Sequence, residues 1–519
     1  MAKLREFCLK FIAVVGALIF LFLTYYAWRY TMRMFSSSED LFVEKDSILL
    51  SLVFTAAFTG ICAIAGRLAE KAKARTLEII AALLSLAVML LLFYIISIPD
   101  TFYFVGDQAN VYLAAESIYN GTINEYADYT YFRLFPYQIQ VGSVFALLFM
   151  MARTASMQVI EYAHAVFLSL SIFAGFHITK EIFRSEKVLA VYLLSMTTFA
   201  PMYFFVFFVY GETLGTSFTV FSICFFLKAV RPASKRTASV IQWILCALAL
   251  LVACMMRPTM LIAGIAMLIE RILFFMNTKK VIQPVLSAAV IGVYLVGRVV
   301  LFLPLQAETG IGLNDGAPPI LNIAMGLQDG DPKVNTGKGS YNGYNWVVFA
   351  EESNFSTQQA SQIGVSYLQE RISHFISHPG EMASFFKEKA LNQWTEPSYG
   401  AFTMTRYLSA PPEWLSQLYH GTLNAQVYGF MNLWQSCAYL FLFLGFVFLI
   451  KKRECPGAFV PALILIGGFL LTLIWESKSR YAYPYVVFAV PLISGSVAFT
   501  LEKITAISRR IRRYTRSGA

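Results

Sequence analysis

Apolar runs with few or no charges recur along almost the whole chain, each long enough for a helix rising about 1.5 Å per residue to cross the hydrocarbon core of a bilayer. They predict helical spans at about 11–28, 47–66, 77–98, 158–178, 188–209, 212–230, 239–256, 258–275, 281–303, 429–450, 457–475 and 481–501. The first run is followed by Arg29-Tyr30 with no small-residue cleavage site, so it reads as a retained span. One further run, 137–152, is apolar but short.

The polar positions between the spans set the topology. Short loops rich in Lys and Arg lie at 66–75, 180–187, 231–236, 278–280 and 451–454, with a basic tail at 508–516. Such loops stay cytoplasmic. All of them share one face only if 137–152 makes no net crossing, so that run is expected to be a half-embedded helix covered by protein or a cavity. The expected fold is an all-α polytopic membrane protein with about twelve crossings and both termini in the cytoplasm. Most of the 41 Lys and Arg then fall inside and most of the 31 Asp and Glu outside, so the net +10 reports orientation and contact with anionic lipid. No basic-aromatic stripe for nucleic acid is present.

Four sections follow from this layout. Residues 1–76 hold two extra N-terminal spans, and 77–303 form a core whose first extracytoplasmic loop is 99–138. A large extracytoplasmic loop occupies 304–428, and 429–519 hold the last spans and the basic tail. Within the large loop, 326–345 is rich in Gly and Asn and reads as an irregular acceptor site or lid, as does Pro411-Pro412. Ser356 is placed to cap one helix and Pro379 to start another. The aromatics Phe385, Phe386 and Trp394 predict that the second of these lies along the membrane interface.

Composition narrows the chemistry mainly by exclusion. The seven cysteines (Cys8, Cys62, Cys224, Cys246, Cys254, Cys437 and Cys455) lie in or beside apolar runs, and no pair has metal-ligand spacing. His374 and His378 are spaced i,i+4 without an HExxH pattern.

The charges that remain gather at one membrane level, the extracytoplasmic one. Asp107-Gln108, in FVGDQANVYLAAESIYNG, follows the third span and opens a helix that Gly121 would close. Asp107 suits an N-cap, and it equally suits a general base at the mouth of a membrane cavity. Glu212 and Glu161 reach the same level from other spans, where they would otherwise serve as a helix cap and a solvated span end. Arg257, Arg298, Lys387, Lys389, Lys478 and Arg480 supply cations there. Arg298 lies within an apolar span, where a charge is costly unless it faces a cavity or a partner. Arginine at that depth suits a phosphate held at the headgroup level.

Taken in order, the stretches FVGDQANVYLAAESIYNG, YFRLFPYQ (131–138), HPGEMASFFKEKALNQWTEP (378–397) and ESKSRYAYPYVVFAVP (476–491) resemble the GT-C superfamily of membrane glycosyltransferases, in particular its protein O-mannosyltransferase and aminoarabinose transferase group. The resemblance runs over about 104–491. It implies transfer of a sugar from a polyprenyl-phosphate donor to a glycan, lipid or protein acceptor outside the cytoplasm. It makes Asp107 the catalytic acidic position, acting as general base, Glu212 a second acidic position, and Lys478 and Arg480 part of the donor-phosphate site. Arg257, Arg298 and Lys387 are added from their membrane level, and Glu476 and Tyr481 from the E-x-K-x-R-Y motif. The close relatives carry Asp-Glu where this chain has Asp107-Gln108, so a second carboxylate there, and a divalent metal with it, are left open. A secondary transporter, or an envelope glycan polymerase or ligase, is the alternative reading.

Overall fold

The computed structural model describes residues 2–34, 41–98, 102–104, 106–126, 130–231, 235–330, 336–405, 407–451 and 456–517. Cys455 and most of the basic loop at 451–454 lie outside them. The chain opens with α1 (Ala2–Ala27), the antiparallel strands β1 (Tyr30–Met34) and β2 (Leu41–Lys45), α2 (Ile48–Ala69) and α3 (Ala74–Ile96). Three shorter helices follow, α4 (Asp107–Asn120), α5 (Thr130–Leu134) and α6 (Tyr137–Ala152). Next come α7 (Met157–Phe183), α8 (Glu186–Thr197), α9 (Pro201–Phe204), α10 (Glu212–Ala229), α11 (Arg236–Met256), α12 (Leu261–Thr278) and α13 (Ile282–Thr309). The large loop carries α14 (Pro319–Gly326), α15 (Tyr344–Trp346), α16 (Thr357–Ser377), α17 (Pro379–Trp394), α18 (Ala401–Thr405) and α19 (Glu413–His420). The chain ends with α20 (Thr422–Lys451), α21 (Phe459–Ile474) and α22 (Tyr483–Ser517).

Among the described residues, nine helices are long and apolar enough to cross a membrane, and α8 with Pro201–Phe207, bent by 51°, makes a tenth. The expected spans 212–230 and 457–475 are α10 and the shorter apolar helix α21. α10 is rich in Ser and Thr and buried on nearly every side. Small hydroxyl residues let neighbouring helices approach closely, and Ser222 Oγ donates to the Cys246 carbonyl of α11 at 3.0 Å.

The expected behaviour of 137–152 is visible in one contact. Gln158 Nε2, at the start of α7, donates to the Ile96 carbonyl at the end of α3 at 3.3 Å. The chain therefore leaves and re-enters the bundle at the same end, and α6 makes no net crossing. It packs instead on α4, where Gly142 allows the approach: a Cβ there would lie 2.7 Å from that of Ala114. At the opposite end, ion pairs join the helix ends, Lys180 with Glu78 at 3.0 Å, Lys187 with Glu70 at 2.8 Å and Arg231 with Glu181 at 3.3 Å.

Three local expectations change. α13 continues through Pro304 to Thr309, and α20 begins at Thr422, so the connecting segment is shorter than 304–428 at both ends. Ser356 does cap α16, accepting from the Gln359 N–H at 3.3 Å, and Pro379 is the first residue of α17. The aromatics of α17, however, are not an interface belt. Phe385 packs with Leu327 and Phe375, while Trp394 is fully buried against Phe469 and donates to Thr472 Oγ1 at 3.0 Å. Finally, the β1–β2 ribbon was not foreseen. Met32 N–H donates to the Thr395 carbonyl at 3.2 Å, and Asp46 accepts from Thr31 at 2.7 Å and from Asn432 of α20 at 2.8 Å. These partners, remote in sequence, seat two strands too short to announce themselves.

Candidate active site

Separated stretches of the chain converge on one cavity of about 430 Å³ at the end of the bundle where α3 finishes and α7 starts. Gly106, Asp107 and Gln108 come from the start of α4, and Tyr131, Leu134, Phe135, Tyr137 and Gln138 from α5 and α6. Phe208, Tyr210 and Arg257 come from the helix ends around α10 and α11. Asn322, Tyr341 and Trp346 come from the first half of the large loop, Met404 and Tyr407 from α18 and its exit. Trp475, Glu476, Lys478, Arg480 and Tyr481 lie on the link between α21 and α22.

Asp107 is not the cap of α4 but its first residue; Gly106 holds the cap position at φ 58° and ψ −129°. A side chain there would be strained, and the glycine turn leaves the Asp107 carboxylate unused by the helix. That carboxylate is 41% exposed, and its Oδ2 stands 3.4 Å from Arg480 Nη2. Gly121 closes α4 in the left-handed conformation, as its position after the polar run implied.

Gln108 is buried, and both ends of its carboxamide are committed to backbone. Oε1 accepts the Val209 N–H at 2.8 Å, and Nε2 donates to the Met404 carbonyl at 3.0 Å. The residue thus clamps two walls of the cavity together, a task that needs one donor and one acceptor. An ionised glutamate has only acceptors. This is the physical reason for an amide where the resembled family carries a second acid. Gln108→Glu is expected to set a carboxylate against the Met404 carbonyl and destabilise the fold by about 1–3 kcal/mol, measured as a lowered thermal unfolding midpoint in detergent. A midpoint at or above that of the parent would show that the two walls hold without the clamp.

Beneath the cavity lies a charged floor. Glu212, the first residue of α10, is fully buried, with Oε1 3.2 Å from Arg257 Nη2 and 3.5 Å from Arg480 Nε. Glycine makes this possible: a Cβ on Gly211 would lie 2.1 Å from the Met256 carbonyl oxygen. Both guanidinium groups also face rings, Arg257 at 5.0 Å from the Tyr481 centroid and Arg480 at 5.3 Å from that of Tyr210. Burial alone would favour deprotonating Arg480, but Glu212, Tyr481 and Asp107 hold it firmly charged. Glu212 does not line the cavity; it orients the two arginines that do.

The opposite rim is built by the large loop. Ser477 N–H donates to the Gly339 carbonyl at 2.7 Å, a single parallel bridge between Ser340 and Ser477. It brings Tyr341 over the cavity, with Lys478 Nζ 5.1 Å from its ring centroid. Tyr341 senses both carboxylates: burial first, then the charges of Glu476 and Asp107, push its phenol up to about 12. Tyr481 OH donates to Glu476 Oε1, and Gln138 Nε2 donates to Tyr210 OH.

Behind this rim sits Lys389, fully buried, its Nζ donating to the carbonyls of Gly326 and, at 2.6 Å, Trp475. Gly339, at φ 70°, passes so close that a Cβ would lie 2.9 Å from Nζ. Burial lowers the lysine to about 7, with the Glu476 charge opposing. A lysine depressed from its ordinary 10.5 adds stability that is complete above about 10.5 and lost as pH falls through about 7. The unfolding midpoint of the parent should therefore rise between those pH values relative to Lys389→Met, which also strands two carbonyls at about 1–3 kcal/mol each. Parallel pH curves for the two proteins would show the ammonium to be solvated.

Three other candidates are placed elsewhere. Arg298 does not line the cavity; its Nη1 donates to Tyr294 OH, one turn back on α13, at 3.2 Å. Lys387 is exposed, because α17 turns Lys389 inward and Lys387 outward. Glu161 is buried within α7 and has no hydrogen-bond partner for Oε1 among the described residues. The residues sequence reasoning passed over are mainly aromatic: Tyr210, Tyr341, Trp346, Tyr407 and Trp475. Tyr210 and Trp475 adjoin the stretches that were singled out, and Tyr341 and Trp346 lie in or beside the Gly/Asn-rich segment, so adjacency was the available signal.

The donor set does not fit a divalent metal held by side chains. No group of three or more His, Cys, Asp or Glu converges among the described residues, and the carboxylates near the cavity face Arg480, Arg257 and Tyr481. His374, one turn before His378 on α16, pairs with Glu381 at 2.9 Å.

No family model matches the chain, and no curated protein matches it. Among solved structures it is similar to the archaeal oligosaccharyltransferase AglB from Archaeoglobus fulgidus in complex with an inhibitory peptide and a dolichol-phosphate. The identity is 12% and the TM-score 0.40, over 85% of this chain and 51% of that one, so the chain spans about half its length.

Proposed function

We propose that the chain is a membrane glycosyltransferase of the GT-C type, moving a sugar from a polyprenyl-phosphate-linked monosaccharide to an acceptor hydroxyl on the extracytoplasmic face. The observation that carries this reading is the juxtaposition, in one cavity at a bundle end, of the solvent-reachable Asp107 carboxylate with the Arg480–Glu212–Arg257 floor. The donor's chain stays in the bilayer, so its phosphate is confined to the headgroup level, and a cavity at a bundle end supports meeting it there. Cations aimed at a departing phosphate stabilise the charge that develops on it.

In the reaction, the acceptor hydroxyl loses its proton to Asp107 as its oxygen bonds to the sugar's anomeric carbon. The bond from that carbon to the phosphate oxygen breaks, and its electron pair leaves with the polyprenyl phosphate, held by Arg480, Arg257 and Lys478. Direct displacement inverts the anomeric centre. At rest Arg480 stands against Asp107 at 3.4 Å, so the carboxylate faces a guanidinium and not an acceptor. A donor phosphate that draws Arg480 to itself releases Asp107, so the donor is expected to bind first. The aromatic walls offer stacking faces for sugar rings.

The test supplies the protein, reconstituted in liposomes, with radiolabelled polyprenyl-phosphate monosaccharide and follows release of polyprenyl phosphate. Turnover with the monosaccharide donor is expected. Use of lipid-linked oligosaccharide alone would make the chain a polymerase or ligase, and solute uptake without release would make it a transporter.

A further inference from the structure

A second space, as large as the first at about 430 Å³, lies at the other end of the bundle, between α2, α8 and α22. Its wall is apolar and cut by small side chains: Cys62, Ala63, Gly66, Val191, Ala498 and Leu501. Gly66 opens the wall toward Lys187, whose Cβ lies 3.6 Å from where a Cβ on the glycine would be. At the mouth stand three cations from the three helices, Arg67, Lys187 and Arg509, against one acid, Glu502. Lys187 also pairs with Glu70 at 2.8 Å, which leaves the mouth positive.

We propose that this groove holds one anionic glycerophospholipid, an acyl chain along the apolar wall and the phosphate among the three cations. Three features select that occupant over a peptide or a soluble anion. The groove has a long apolar side that a free phosphate would leave unfilled. Its charged mouth lies at the bundle end where other basic loop residues collect, Lys180, Arg184 and Arg231 among them, so it faces one leaflet's headgroups. Around the mouth, α22 presents Ile504 and Ile507 exposed among Lys503, Arg509 and Arg510. That pattern lies in a membrane interface rather than in water. The site stands at the opposite end from Asp107, and the lipid would act as a brace joining the N-terminal helices to the last helix.

The full chain is purified in detergent with phosphatidylglycerol or phosphatidylcholine, and retained lipid is counted by native mass spectrometry alongside the thermal unfolding midpoint. Preferential retention and a raised midpoint with phosphatidylglycerol are expected. Arg67→Gln and Arg509→Gln should each weaken retention roughly fivefold, the worth of one cation near an anionic headgroup. Ala63→Trp fills the groove with the cations intact and should abolish retention. A parallel arm with glycerol phosphate separates sources: protection by it alone would mean an anion site without a lipid chain. Equal retention of both lipids, or indifference to Ala63→Trp, would overturn the proposal. All three positions are exposed or half-buried, and a cooperative unfolding midpoint in phosphatidylcholine equal to the parent's reports that each variant is folded.

Discussion

Asp107→Asn is expected to slow sugar transfer roughly 10²–10⁴-fold, the usual worth of a general base, while the fold and the donor site survive. The carboxamide keeps the size of the carboxylate, and the side chain is 41% exposed, so no desolvated partner is stranded. Arg480 keeps its second acid, Glu212. Since the resting Asp107–Arg480 contact no longer competes with the incoming phosphate, donor affinity should be unchanged or tighter. Single-turnover rates and equilibrium binding of the polyprenyl-phosphate sugar separate the two effects. Activity above about a tenth of the parent's, well outside the range for a lost base, or loss of donor binding, would remove Asp107 from the role.

Glu212→Gln should fail in the contrary way. Its carboxylate is the buried counter-charge shared by Arg257 and Arg480, and removing one partner of a buried pair commonly costs about 3–5 kcal/mol. The unfolding midpoint should fall sharply. In protein that does fold, donor affinity should drop because both guanidinium groups lose their orientation. A Glu212→Asp variant restores the charge at a shorter reach and should recover part of the binding. Were Glu212→Gln to lose turnover alone, with stability and donor affinity intact, the residue would be acting on the reacting atoms instead.

The two substitutions also mark how far the sequence could be read. Spans were legible because an uncharged apolar run of bilayer length is rarely stable anywhere but in a membrane, and the absence of a crossing at 137–152 followed from the basic loops. The α3–α7 contact through Gln158 and Ile96 bears that out. Asp107, Gln108, Arg257, Glu476, Lys478, Arg480 and Tyr481 do meet in one cavity, since charge at a common membrane level is a strong spatial constraint. Which way each side chain faces was a different matter. Lys387 and Lys389 differ by two positions on one helix, about 200° of rotation, so one is solvated and the other buried. Arg298 finds its partner four residues away on its own helix, a local solution that membrane depth alone does not distinguish from a cavity. The clamp made by Gln108 is not legible in sequence because its two backbone partners, Val209 and Met404, are distant along the chain.

The ribbon of β1 and β2 bears on how the molecule can be cut. Tyr428 OH bonds both the Met32 carbonyl and Glu396 Oε1, each at 3.1 Å, and Glu396 in turn holds the turn at Ser398 and Gly400. The first two spans are thus stitched into the segment that carries α17 into α18, beside Met404 and the cavity wall. They are not detachable from the unit that carries the cavity. Trimming them to obtain a smaller protein would unpick the wall from behind, so a minimal version of this molecule has to keep its first helix.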